Sequence, residues 1–204
     1  MKKADPPPRI VREETLSDGF VRLDHLLVEA PWGGGTVRLD REVHFHGHGA
    51  AVLPVDPARA AGILIRQFRV PAFLDDGDGW LWEVPAGLLD GDSPEQCALK
   101  EAREETGVAV ESLESLGDSL SSPGVMRERI HLFWGTYSVP PSSATGGLDH
   151  EGEMIEVHEL PLVEIARMAV DGEIVDSKSA MIVFRLMARR PDLFGRKAAA
   201  ADVT

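Results

Sequence analysis

Glu101, Glu104 and Glu105 stand at offsets of three and four in the run Lys100-Glu101-Ala102-Arg103-Glu104-Glu105-Thr106-Gly107-Val108. On a helix those offsets share one face. Like charges so placed cost about 0.2–0.5 kcal/mol per pair, so a helix that keeps three of them is usually organised around a cation. Oxygen ligands with no His or Cys in the run suit Mg²⁺ or Mn²⁺, ions that commonly bring phosphates with them. Glu101 and Glu105, one turn apart, are the leading ligands and Glu104 is a third. A solvated Glu-rich surface helix would carry the same pattern, so the neighbouring elements decide between the two.

Those elements are well marked. Ser93-Pro94-Glu95-Gln96 has the form of a capping box, with Ser93 as N-cap, Pro94 in the first turn and Gln96 reaching back. Gly107 supplies the stop, so the helix is expected over 94–106. Ala98, Leu99 and Ala102 give it an apolar side to pack on a sheet. Upstream, the apolar run from Trp80 to Val84 leads into a Pro85-Ala86-Gly87 turn and the acidic loop Asp90-Gly91-Asp92. Strand, loop and capped helix with carboxylates at both ends, Glu83 among them, make a plausible cradle for metal and phosphate. Gly87 lets backbone approach closely, and the Ala86 carbonyl is a candidate for a further oxygen ligand.

This stretch resembles the Nudix box, G-x5-E-x7-R-E-U-x-E-E-x-G-U, where U is a bulky apolar residue. The Gly, the glutamates and Gly of the second half, and the flanking Glu-x-Pro-Ala-Gly match. Three positions depart: the first acidic residue is Asp92 and follows Gly87 after four residues instead of five, Lys100 replaces Arg, and Ala102 is small. Lys100 keeps the charge but loses the planar fork. Similarity extends over roughly residues 10–190. Ile63-Leu64-Ile65-Arg66-Gln67-Phe68-Arg69 looks like the strand before the box in ADP-ribose and sugar-nucleotide pyrophosphatases. Ser122-Pro123-Gly124 carries the Pro used to mark the ADP-ribose subgroup, and the shortened box is similar to the GDP-mannose branch. Gly147–Val157 looks like the acidic loop that supplies the catalytic base.

The resemblance implies an α/β fold, the Nudix α/β/α sandwich with a mixed central sheet and a small N-terminal antiparallel sheet. Residues 1–9 read as a flexible start, 10–48 as a β extension that dimerises, 49–192 as the catalytic domain and 193–204 as a tail. Strands are expected at Phe20–Ala30, Thr36–Phe45, Ala50–Val55, Ala61–Gln67, Trp80–Val84, Val110–Leu120, Ile130–Ser138 and Glu153–Glu159. Further helices are expected from Pro161 to Val170 and over Ser177–Arg190.

For the site, the resemblance implies that Ala86, Glu101, Glu104 and Glu105 bind Mg²⁺ or Mn²⁺. Glu153 is the candidate base, with Glu151 as its alternative; Glu156 lies on the following strand. Arg66 and Arg69, three apart on one strand, point to opposite faces, so only one meets the ligand, and the resemblance favours Arg69. Glu83, Arg41 and Arg127 complete the expected substrate contacts, Arg41 or Arg38 reaching the neighbouring subunit's nucleotide as the resemblance implies. Trp80 and Trp82 share a strand face and either stack a base or join the core; Tyr137, Phe133 and Trp134 read as core. His44, His46 and His48 share a face if their strand runs that far, a weak pointer to a transition metal against plain strand-pair histidines.

Composition sets outer limits. The 204 residues suffice for one large domain or a domain with an extension. A net charge of −13 argues against nucleic acid or anionic membranes as partners. The single cysteine, Cys97, excludes an intrachain disulfide and reads as a small packing residue. No 18-residue apolar run and no signal-peptide pattern occur, which points to a cytoplasmic enzyme. The expected activity is metal-dependent hydrolysis of a nucleoside-diphosphate sugar of ADP-ribose or GDP-mannose type by a homodimer. Hydrolysis of another linked nucleoside diphosphate such as a dinucleotide, or nucleotide binding without catalysis, are the alternatives.

Overall fold

The computed structural model describes residues 6–147 and 154–195. The chain divides into two compact units, one of residues up to His48 with Leu120–Arg129, the other of Gly49–Ser119 with the residues from Ile130 onward.

The first unit is an antiparallel three-stranded sheet: β1 (Arg9–Asp18), β2 (Arg22–Trp32) and β3 (Gly35–Phe45), in that order. Gly33 and Gly34 form the β2–β3 turn with φ of 60° and 81°. Two left-handed residues in a two-residue turn match the twist of the strands they join, so the hairpin is tighter than the Pro31–Gly35 connection expected from sequence. The segment Leu120–Arg129 is tied to this sheet at His44, whose N–H donates to the Val125 carbonyl (2.8 Å) and whose carbonyl accepts from Arg127 N–H (2.9 Å). Because β3 ends at Phe45, His46 and His48 do not continue it; His48 Nδ1 accepts the Arg129 N–H (3.1 Å), and His46 Nε2 lies 3.2 Å from Glu128.

The second unit is built on β4 (Gly49–Asp56), Gly-Ala-Ala-Val-Leu-Pro-Val-Asp, whose eight residues are all buried. An apolar run without alternation is what a strand covered on both faces requires. Ala51, Leu53 and Val55 belong to a cluster with Leu162, Ile165, Ile182 and Leu186. Ala50 and Val52 belong to another with Cys97, Ala98, Ala102 and Phe133. Helices therefore cover both faces: α2 (Pro94–Thr106) on one, α3 (Leu162–Asp171) and α4 (Ser177–Arg189) on the other. This is the expected sandwich. The small side chains of Ala98 and Ala102 let α2 approach β4, so the departure at Ala102 is a packing choice completed by Phe133.

The strand order is β10 (Thr145–Gly146), β11 (Ile155–Pro161), β5 (Ala61–Phe68), β4, β9 (Arg129–Thr136) and β8 (Ser112–Leu120). β4 runs parallel to β9 and antiparallel to β5, which makes the sheet mixed. β4 and β5 pair only at Val55–Gly62 and Asp56–Ala61. Past that point β6 (Trp80–Glu83) pairs with β5, and β7 (Ala86–Leu88) pairs with β4 from Gly49 to Ala51. Sequence reading places Pro85-Ala86-Gly87 in a turn. The structure makes Ala86–Leu88 a short strand, because the splay leaves backbone groups of β4 that must be paired in a buried setting.

Two further differences bear on the site. β5 stops at Phe68, and Arg69 is the N-cap of an unexpected seven-residue helix, α1 (Val70–Asp76). Pro71 sits in its first turn, where a missing N–H costs nothing, and the Phe73 ring lies 5.8 Å from that of Phe68. Arg66 and Arg69 are therefore not two residues of one strand. On the other side, β11 begins at Ile155 and runs through Pro161, which caps α3 rather than opening it.

Candidate active site

The capping box forms as the sequence specifies: Gln96 N–H donates to Ser93 Oγ (3.2 Å) and Ser93 N–H to Gln96 Oε1 (3.0 Å). At the far end Gly107, with φ of 72°, caps the Arg103 carbonyl through its N–H (2.9 Å). Between these ends α2 directs Glu101 and Glu105 at the strand opened by the sheet's splay. Ala86 N–H donates to Glu105 Oε2 (3.1 Å), and Glu105 is buried. A Cβ on Gly87 would stand 2.2 Å from Glu101 Oε1, so any side chain here would displace the Glu101 carboxylate. The backbone of Ala86–Gly87 thus lies against two carboxylates one helical turn apart.

Glu104 is more open, with its side chain one-third exposed, and Lys100 stands 4.0 Å from Glu101 and 3.8 Å from Glu104. The charge of Glu101, then that of Glu104, raises the Lys100 pKa. Lys100 partly offsets the three like charges of the helix. Asp92 is exposed in a turn closed by its own N–H on the Leu89 carbonyl (2.7 Å).

These residues suit a divalent cation. Their donors are carboxylates and backbone carbonyls, the hard set that Mg²⁺ or Mn²⁺ takes. The one thiol nearby is no soft alternative: Cys97 is buried, lies within hydrogen-bonding distance of the Gly87 and Leu88 carbonyls, and burial pushes its pKa up to about 11, helped by Glu101. Among the described residues no three His, Cys, Asp or Glu side chains are gathered as a complete metal-binding group. Glu151 and Glu153, the expected base residues, lie outside the described residues.

Beside this cradle stands a charge cluster that spans the sequence. Arg69 donates from Nε (2.8 Å) and Nη2 (3.0 Å) to the two oxygens of Glu83, which is buried at the end of β6. Lys178, in the first turn of α4, reaches Glu83 Oε2 at 2.6 Å and Asp176 at 3.0 Å. Burial alone would raise the Glu83 carboxyl; Lys178 and Arg69 overcome it and bring it down to about 2. Lys178 and Arg69 are themselves held protonated against burial, mainly by Glu83. Sequence analysis missed Lys178, which is 95 positions from Glu83. The only local signal is that Asp176 caps α4, donating nothing and accepting from Ser179 N–H (2.9 Å), which fixes the turn in which Lys178 sits.

The other expected residues are placed as follows. Arg66 lies with its guanidinium 5.5 Å from the Trp80 ring centre and 3.9 Å from Glu156. Trp82 packs against the core cluster of α3 and α4, with its ring edge-on to His158. Phe133, Trp134 and Tyr137 are core, as expected. Arg41 and Arg127 belong to the first unit and line a cavity of about 680 Å³ there, Arg127 stacking on Phe45 at 4.6 Å.

The NUDIX domain pattern matches residues 46–178. The chain belongs to the Nudix family of hydrolases. It is 41% identical over 185 residues to the GDP-mannose pyrophosphatase of Pectobacterium atrosepticum, covering 90% of this chain and 95% of that one. It is 39% identical over 175 residues to the GDP-mannose pyrophosphatase of Yersinia enterocolitica, covering 85% and 91%. Among solved structures, an ADP compounds hydrolase superposes with a TM-score of 0.73 over 94% of this chain and 98% of that one, at 19% identity. That likeness concerns the fold.

Proposed function

We propose that this Nudix hydrolase cleaves the diphosphate of a nucleoside-diphosphate sugar, with GDP-mannose the first substrate to test and ADP-ribose the second. The observation that carries the chemistry is the pair Glu101 and Glu105 set against the Ala86–Gly87 backbone. The choice of sugar nucleotide rests on the near full-length similarity to two GDP-mannose pyrophosphatases.

In this reading Glu101 and Glu105, with Glu104 and the Ala86 carbonyl, hold Mg²⁺ or Mn²⁺. Such an ion, when bound, neutralises the diphosphate and polarises the phosphorus–oxygen bond under attack. The chain's own groups do the rest. Arg69 is fixed by a two-point bond to Glu83 and so offers an oriented positive charge to a phosphate oxygen. Lys178 adds a second positive charge on the other side of the same carboxylate. Glu153, with Glu151 as alternative, takes the proton of the attacking water. The water oxygen bonds to one phosphorus and the bridging P–O bond breaks. From GDP-mannose this yields GMP and mannose 1-phosphate; from ADP-ribose, AMP and ribose 5-phosphate. The buried, protonated Cys97 takes no part and fits a reducing compartment such as the cytoplasm.

The test is phosphate release, coupled to alkaline phosphatase, from GDP-mannose, ADP-ribose, ADP-glucose, UDP-glucose and diadenosine polyphosphates. EDTA and Glu101→Gln should each abolish turnover, and GDP-mannose should lead the panel. Preferred cleavage of the dinucleotides would select the alternative hydrolase reading. No turnover of any compound with Mg²⁺ or Mn²⁺ would leave nucleotide binding without hydrolysis.

A further inference from the structure

The last four carbonyls of a helix have no partner within it. In α2 these belong to the turn that carries Glu104 and Glu105, so whatever satisfies them also sets where the two carboxylates point. Gly107 N–H serves the Arg103 carbonyl. The Glu104 carbonyl is met from a distant part of the chain, and the same segment presses on Glu105. Gly147 N–H donates to the Glu104 carbonyl (3.2 Å), and the backbone of Gly146 lies directly on Glu105. A Cβ on Gly146 would fall 1.6 Å from the Glu105 carbonyl oxygen and 2.5 Å from its carbon, the closest approach among the described glycines. Both obstacles are backbone, so no side chain can swing away to make room. Gly147 has a φ of 86°, which costs other residues about 1 kcal/mol.

Gly146 is the last residue of β10, whose pairing Thr145–Glu156 and Gly146–Ile155 joins it to β11. One short strand therefore touches the metal-cradle helix on one side and β11 on the other. The acidic sequence Asp149-His150-Glu151-Gly152-Glu153 follows Gly147 after a single residue, Leu148.

We propose that Gly146 and Gly147 are positioning residues for hydrolysis: they set the last turn of α2, and with it Glu104 and Glu105, by direct backbone contact. This rests on the functional reading above, in which those carboxylates hold the cation. At Gly146 the requirement is for close approach; at Gly147 it is for a positive φ. Any side chain at 146 must push β10 and the helix end apart, and a displacement of about 1 Å at such a site can cost 10²-fold in rate.

The experiment compares wild type, Gly146→Ala and Gly147→Ala in the full chain, by kcat and KM, by Mn²⁺ affinity from electron paramagnetic resonance without substrate, and by Tm. The expected result for Gly146→Ala is a fall in kcat of about 10²-fold with a smaller change in KM, and Mn²⁺ binding weakened about tenfold at temperatures well below Tm. Gly147→Ala should show the same pattern in milder form. A lowered Tm with wild-type kcat and Mn²⁺ affinity would overturn the proposal, since that is the signature of packing alone. If Gly146→Ala does not fold, wild-type kcat and Mn²⁺ affinity in Gly147→Ala overturn it equally. If the wild type turns over no nucleotide sugar, the functional reading fails while the Mn²⁺ comparison still decides the positioning.

Discussion

Glu83 sits in a setting far from that of a free side chain. It is 1% exposed, yet it is ionised because Arg69 and Lys178 both bond to it. A carboxyl that drops from 4.5 to about 2 on folding contributes roughly 3 kcal/mol of stability at neutral pH. The folded-state pKa is depressed, so this contribution is fully present above about pH 4.5 and is lost as pH falls towards 2. Urea unfolding measured from pH 7 to pH 3 should show stability declining below pH 4.5. In Glu83→Gln that part of the slope should vanish, and the variant should be less stable by about 3 kcal/mol at pH 7, because Arg69 and the buried Lys178 lose the carboxylate they share. A variant with the wild-type pH slope would refute the assignment. Little of this was legible in sequence. The Glu-x-Pro-Ala-Gly motif marked Glu83, but its pairing with Lys178 joins elements that only the tertiary fold brings together.

At the scale of elements, the contact between β7 and α2 separates stability from function. A methyl on Gly87 would meet the carboxylate end of Glu101, a flexible side chain that can move aside, and its three nearest neighbours are all atoms of that carboxylate. Gly87→Ala should therefore leave Tm within about 2–4 °C of wild type while lowering kcat by about 10²-fold, since moving Glu101 removes it from the cradle. Thermal unfolding and steady-state kinetics on one preparation check this; a large fall in Tm with kcat preserved would show that the contact serves packing. The elements that sequence described well are those specified locally. Helix α2 has its cap, first-turn Pro and stop within fifteen residues, and β4 is an unbroken apolar run. Those it missed are short and set by context. Three-residue β7 exists because β4 needs a partner beyond the splay, and α1 is seven residues long, with a Pro that reads as a breaker until its first-turn position is known.

At the scale of the whole molecule, apolar surface is unevenly spent. Every fully buried apolar side chain among the described residues lies in the unit from Gly49 onward, none in the unit of β1–β3 with Leu120–Arg129. That first unit exposes Ile10, Val11, Leu16, Phe20, Trp32 and Val37, and its cavity of about 680 Å³ is walled by Leu26, Val28, Leu39 and Val43. A three-stranded sheet needs a covered apolar face to be stable, and exposed apolar patches of this kind mark association surfaces. A second copy of the chain is the expected cover. Sedimentation or light scattering should give about 44 kDa, twice the 22.2 kDa of one chain. Val28 and Leu39 are cross-strand partners on the cavity wall, so Val28→Asp with Leu39→Asp should shift the mass to that of one chain. Each copy carries a net charge of −13, and like charges at that level oppose association at long range while apolar contact favours it at short range. Raising salt from about 10 mM to 150 mM shortens the screening length from roughly 30 Å to 8 Å and should tighten the dimer. A wild-type mass of 22 kDa at micromolar concentration and 150 mM salt would end the dimer assignment, and dissociation on adding salt would show that ion pairs, not the apolar wall, hold the copies together.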